Sequence, residues 1–198
     1  MRFALTLLSK SDDSLTRTRL QERLQTDVEE LEALVRASLT FARMAGAPTD
    51  LQHEPIPIRD WLHQEFALLD GHQRRLSLDT EPADLQLIGD RALLHLIVRN
   101  LLSNAVQHTA PGQVIEVTIE LLEHQVAIGV TNPGEVIANE HLPRLFERFY
   151  RVDASRSNSG ANHGLGLAIV KAIALMHGGD VFVRSEAGGN TFGITLPV

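Results

Sequence analysis

The stretch DRALLHLIVRNLLSNAVQH, residues 90–108, decides the fold. Leu93, Leu94, Ile97, Leu101 and Ala105 recur at steps of three and four, so they share one face of a helix. Asp90 stands just ahead of the pattern, where a short acceptor side chain caps a helix start. Asn100, Asn104 and His108 fall at i, i+4 and i+8 and line a second strip. Asparagine is a mediocre helix former, so a pair of them beside an apolar face has found local partners or points into a cavity. A side-chain amide oxygen is a hard, neutral ligand of the kind Mg2+ takes. The plain alternative is two solvated asparagines on a helix edge.

On the C-terminal side, residues 114–122 and 125–130 alternate like the two strands of a hairpin. Residues 133–162 are polar and without periodicity. Residues 165–176 form a second apolar helix, closed by Gly178 and Gly179. Residues 180–185 and 191–196 make a last hairpin around Gly188, Gly189 and Asn190. On the N-terminal side, residues 75–79 and 85–89 read as short strands and residues 59–69 as a helix. Gly46, Pro48, Pro55 and Pro57 mark residues 47–58 as a linker. Strands and helices come in clusters, so the expected class is α+β: a two-layer sandwich with helices on one face of a mainly antiparallel sheet.

Residues 1–46 differ from the rest. From Ser14 to Met44 there is neither Gly nor Pro. Leu20, Leu24, Val28, Leu31, Val35, Ser38 and Ala42 form one stripe of near-heptad spacing, opposite a charged face. A shorter apolar piece, Phe3 to Leu8, and a turn at residues 11–14 complete an α-helical hairpin ahead of the sandwich. Pairing with a second copy would bury the stripe in a four-helix bundle, so a homodimer through this hairpin is expected. The alternative is a hairpin packed on its own domain.

The 198 residues carry 18 Lys and Arg against 25 Asp and Glu, a formal charge of −7. An acidic chain without a basic block argues against nucleic acid as a partner, since phosphate neutralisation supplies most of that affinity. The chain has no cysteine, which removes disulfides, thiolate metal sites and cysteine nucleophiles. Its nine histidines include no pair at metal-ligand spacing. No apolar run approaches the roughly 20 residues that span a bilayer.

Three further constellations bear on chemistry. Asn132-Pro133-Gly134 follows a strand directly; it is a turn, or the place where a pocket sets one hydrogen-bonding group for a base edge. Gly160, Gly164 and Gly166 precede and open a helix, whose free N–H groups and dipole favour an anion; otherwise they are a loop feeding a helix. In LPRLFERFYR, residues 142–151, Phe146 and Phe149 are candidates to anchor a mobile segment on the core. Arg151 and Arg156 are candidate phosphate contacts. The plain alternative is a surface helix with solvated arginines.

The order of these motifs resembles the catalytic part of bacterial sensor histidine kinases, in the GHKL ATPase superfamily. NLLSNAVQHT (100–109) resembles the N box and Asn132-Pro-Gly the first glycine box. FERFYR (146–151) resembles the F box, GLGLAIV (164–170) the second glycine box and GGNTF (188–192) the last glycine motif. The resemblance implies a GHKL, or Bergerat-type, ATP-binding fold over residues 59–198, preceded by a partial dimerisation and phosphoacceptor hairpin. It implies ATP or ADP and Mg2+ as cofactors. Asn104 would hold the metal with Asn100 and His108 nearby, Asn132 would accept from the adenine amino group, and Gly134 would admit the base. Gly164, Leu165, Gly166 and Leu167 would line the phosphates, Phe149 would be among the nucleotide-binding residues, and Arg151 would reach the γ-phosphate. Asn104 and Arg151 would be the catalytic pair, and residues 147–163 the lid.

Four departures accompany the resemblance. Asn132 stands where Asp is usual, Val136 replaces a glycine, and Gln107 replaces a basic residue. The phosphoacceptor motif His-Glu-x-x-Arg-Thr-Pro is absent, and the first histidine is His53. The chain is therefore expected to be a fragment starting just past that motif, able to bind nucleotide but not to phosphorylate itself. Its parent would transfer the γ-phosphoryl to a histidine and on to a response regulator receiver domain. That parent is expected in the inner membrane, through segments outside this chain, with this portion cytoplasmic. The rival expectations are a non-catalytic dimeric nucleotide-binding module and a GHKL ATPase or serine kinase.

Overall fold

The computed structural model describes residues 51–67, 75–81, 85–110, 112–152 and 164–198. The hairpin over 1–46 and most of the expected lid lie outside these residues. Strand β1 (Glu54–Pro57) leads into helix α1 (Ile58–Ala67). Strands β2 (Arg75–Glu81) and β3 (Gln86–Gly89) precede helix α2 (Arg91–His108). Strands β4 (Val114–Leu121) and β5 (Gln125–Asn132) form a hairpin, and helix α3 (Gly166–Met176) runs into the hairpin of β6 (Asp180–Glu186) and β7 (Gly189–Pro197). Five strands make one sheet in the order β2-β4-β5-β7-β6, antiparallel except for the β2–β4 pair.

The core follows the alternation of the strands. Ile115, Val117 and Ile119 of β4 are buried, as are Val126, Ile128 and Val130 of β5 and Phe192, Ile194 and Leu196 of β7. Register aligns them, with Val130 opposite Phe192, Ile128 opposite Ile194 and Val126 opposite Leu196. Onto this face α2 brings Leu94, Ile97 and Leu101, and α3 brings Ile169, Val170 and Ile173. Each fully buried Leu or Ile contributes about 1.5–3 kcal/mol of apolar transfer free energy.

The linker expected over 47–58 is replaced in part by β1, which pairs antiparallel with β3 in a separate ribbon. Its two prolines are compatible with this. The Ile58 amide donates to Leu85 O at 3.1 Å, which turns the N–H groups of even-numbered residues toward β3. Pro55 and Pro57 therefore lack a donor only on the outer edge, where an edge strand tolerates it.

The Asp90 carboxylate caps α2, accepting from the amides of Ala92 and Leu93 at 3.1 and 3.2 Å. A second tie was not visible in the sequence. The Asp90 amide donates to His177 Nε2 at 3.1 Å, and His177 Nδ1 donates to Ile173 O at 2.9 Å. The buried imidazole is thus a neutral bridge between the start of α2 and the end of α3. A β-carbon at Gly89 would stand 3.0 Å from this ring, so glycine permits the approach. Replacing His177 with Leu is expected to lower stability by about 1–2 kcal/mol, measured by denaturant titration, because the Asp90 amide loses its acceptor. An unchanged midpoint would remove His177 from the account of the helix pair.

Candidate functional site

The first half of the site lies at the end of β5 and β7. Val126, Ile128, Val130 and Asn132 share the buried face of β5, so the polar residue ends an apolar series. Asn132 is 2% exposed and pairs in register with Asn190. Its Nδ2 donates to Pro133 O at 3.2 Å, while its Oδ1 has no partner. A buried acceptor left unpaired costs about 1–3 kcal/mol, so such groups call for an explanation. Among the described residues only Trp61 Nε1 shares this condition. Trp61 lines a separate cleft of about 410 Å3 beside Glu65, Asp90 and His95.

The turn after Asn132 is held from across the sheet. Asn190 Nδ2 donates to Glu135 O at 3.0 Å. The Ser185 hydroxyl donates to Asn190 Oδ1 at 2.5 Å and accepts from the Ile137 amide at 2.7 Å. Every polar group of the Asn190 amide is engaged in seating this turn. Gly134 approaches so closely that a β-carbon would lie 3.1 Å from Asn190 Nδ2. Gly189, at φ +146°, would place one 2.7 Å from Asn132 O. In sequence Asn190 reads only as a residue of the last turn and glycine motif and Ser185 as the end of a strand; Asn190 instead lies within β7, opposite Asn132. The available signal was parity: Asn132, Asn190 and Ser185 each continue the inward series of an apolar strand.

The second half lies where α3 begins. Unlike α2, α3 has no capping side chain; its N-cap residue is Leu165. The first-turn N–H groups of a helix lack intrahelical acceptors and, with the dipole, favour an anion. Asn100 reaches this point from α2. Its Nδ2 donates to Leu96 O at 2.7 Å, and its Oδ1 would stand 2.9 Å from a β-carbon on Gly166. Gly166 is thus the residue type that lets α2 and α3 meet here. Asn104, half-buried, and His108, exposed, follow Asn100 at successive turns. Leu165 is buried and Leu167 half-buried, so Leu165 turns its side chain into the core and leaves its backbone to the site.

The F-box segment borders this half. A short 3-10 turn, Leu142–Arg144, leads to buried Leu145 and Phe146. Phe149 does not anchor on the core as expected; it is 65% exposed, at φ +65°. That left-handed backbone turns the ring outward, and for a bulky residue it is a strained state held by its surroundings. The holding group is Gly164, whose carbonyl accepts from the Phe149 amide at 2.9 Å. Gly164 itself has φ +68°, and a β-carbon there would stand 2.8 Å from Tyr150 O. Contacts therefore bring together Asn100 with Gly166, Phe149 with Gly164, and Gly134 with Asn132 and Asn190. Arg151 is exposed and makes no ion pair among the described residues.

Residues 89–198 match the family described as histidine kinase-, DNA gyrase B- and HSP90-like ATPase. Sensor histidine kinase CusS of Escherichia coli O157:H7 is 36% identical over 200 residues, which cover 96% of this chain and 42% of CusS. Sensor-like histidine kinase SenX3 of Mycobacterium tuberculosis (strain H37Rv) is 33% identical over 197 residues, which cover 96% of this chain and 48% of SenX3. Full-length ShkA, crystallised in complex with AMPPNP, has the same fold at a TM-score of 0.72 and 28% identity, covering 98% of this chain and 41% of ShkA. This chain spans less than half the length of each of these relatives. Matching motifs and fold together place the chain in the histidine kinase-, DNA gyrase B- and HSP90-like ATPase family, as an α+β ATPase domain similar to the catalytic domains of sensor histidine kinases.

Proposed function

We propose that this domain binds ATP with Mg2+ and donates the γ-phosphoryl group to a histidine, from which it passes to a response regulator. The observation that carries the nucleotide site is the buried, unpaired Asn132 Oδ1. It is an acceptor, and the exocyclic amino group of adenine is a donor. The uncapped start of α3 supports phosphate binding. Asn104 would supply an amide oxygen to Mg2+, a fitting donor for an ion that keeps several waters and otherwise takes phosphate oxygens. When bound, the metal supplies charge neutralisation on the triphosphate. The residues of the chain then have positioning work: Asn132 orients the base, Gly164 and Gly166 leave room for the phosphates, and Arg151 takes the terminal one.

Replacing Asn104 with Ala is expected to weaken Mg2+-ADP binding by roughly tenfold or more, since even an outer-shell partner is worth that much to a metal site. Binding in EDTA and the melting curve should stay as they are. Equal affinity for Mg2+-ADP before and after would take Asn104 out of the metal site.

No histidine precedes His53 in these residues, so the test supplies a phosphoacceptor histidine separately. The decisive assay mixes the chain with radiolabelled ATP and a separate helical hairpin that carries a phosphoacceptor histidine. Acid-labile label on the hairpin is expected; nucleotide binding without transfer would favour a non-catalytic binding module. The proposed assembly is a homodimer through residues 1–46, in the cytoplasmic part of an inner-membrane protein. No helix among the described residues is long and apolar enough to cross a membrane. The double change Leu24→Asp and Leu31→Asp is expected to give monomers in sedimentation; a persisting dimer would place the contact elsewhere.

A further inference from the structure

We propose that His141, Arg144 and Tyr150 are positioning residues, which fix the direction in which Arg151 leaves the core and so aim it at the terminal phosphate of ATP. The inference rests on the nucleotide site proposed above. Tyr150 is half-buried, and its hydroxyl lies 2.7 Å from His141 Nδ1. The two rings meet at 6.2 Å between centroids, tilted by 45°. The Arg144 guanidinium stands 4.2 Å from the centre of the tyrosine ring. Arg144 is itself held by Glu147 at 3.2 Å. The ring of Tyr150 is thus fixed by its hydroxyl and on its face.

The backbone is fixed at the same place. The Tyr150 amide donates to Glu147 O at 3.4 Å, and the preceding amide, of Phe149, donates to Gly164 O at 2.9 Å. His141 precedes and Arg144 ends a turn whose next residues, Leu145 and Phe146, are in the core. A chain of contacts therefore runs from the core through His141 and Arg144 to Tyr150. Arg151 is the next residue, one Cα step of about 3.8 Å away. Its guanidinium is exposed and engages no carboxylate among the described residues. A planar fork of donors binds phosphate in two-point fashion only when its stem arrives from a set direction. The clamp supplies that direction.

ADP lacks the phosphate that Arg151 would contact, and this separates positioning from mere support of the fold. The test is calorimetric titration of the full chain with AMPPNP and with ADP, each with Mg2+, for Tyr150→Phe, His141→Ala, Arg151→Ala and the pair Tyr150→Phe with Arg151→Ala. Phenylalanine keeps the ring under Arg144 and removes only the hydroxyl. Tyr150→Phe and His141→Ala are each expected to lose about three- to tenfold for AMPPNP, the value of one hydrogen bond, with ADP affinity unchanged. The double variant should bind AMPPNP no more weakly than Arg151→Ala alone, because the clamp acts through that residue. Equal losses for both nucleotides, or additive losses in the double variant, would overturn the clamp while leaving the nucleotide site standing. A starting chain that binds neither nucleotide would overturn the site itself, and the clamp with it.

Discussion

Replacing Asn132 with Ala abolishes most nucleotide affinity: the Kd for ADP rises by roughly 5- to 150-fold, as expected for losing a buried hydrogen bond worth about 1–3 kcal/mol. The amide oxygen removed is the unpaired acceptor at the end of β5. The neighbouring network survives, because Asn190 and Ser185 hold the turn at Glu135 and Ile137 without Asn132. The melting temperature should therefore hold or rise, since a buried group without a partner has been removed. Asn132→Asp offers a carboxylate to the same donor and should bind ADP with an affinity close to that of the starting chain. Equilibrium titrations on all three proteins decide it. An Ala variant with the original Kd would show that Oδ1 meets no ligand.

The second large effect is on folding. Gly179 sits between α3 and β6, where a β-carbon would lie 1.9 Å from the carbonyl oxygen of Thr195 and 2.9 Å from Leu196 Cδ2. The first obstacle is backbone in β7, so no rotamer change relieves it, and the strand must move. Gly179→Ala is expected to cost about 3 kcal/mol, the upper end of ordinary overpacking, and to lower Tm by roughly 6–12 °C for a chain of this size. Gly188, where a β-carbon meets nothing within 4 Å, is the internal control: Gly188→Ala should melt close to the starting protein. Equal Tm values for the two variants would mean that α3 and β7 have room the structure does not give them.

Local signals were legible in the sequence, and long-range ones were not. The helix over Arg91–His108 declared itself through period and cap, and both hairpins through alternation and turn residues. The strand at Glu54–Pro57 did not, because two prolines resemble a linker until the partner strand shows which edge they face. The parallel pairing of β2 with β4 depends on a crossover through α2, and no local pattern encodes it. In the site, Asn132 was legible as a motif residue, but its unpaired oxygen emerges only when the sheet closes around it. The Asn190–Glu135 and Ser185–Ile137 bonds join residues 55 and 48 positions apart. Phe149 misled for a different reason: an aromatic residue close to Phe146 reads as an anchor, whereas its left-handed backbone, tied by its amide to Gly164 O, turns it outward.

The measurement that bears most directly on the central claim is calorimetric titration of the 198-residue chain with ADP, in Mg2+ and again in EDTA. Saturable binding at one site per chain, tighter with Mg2+, is the predicted result. Absence of binding in both conditions would contradict it, and would mean that the Asn132 acceptor and the open start of α3 do not form a nucleotide site.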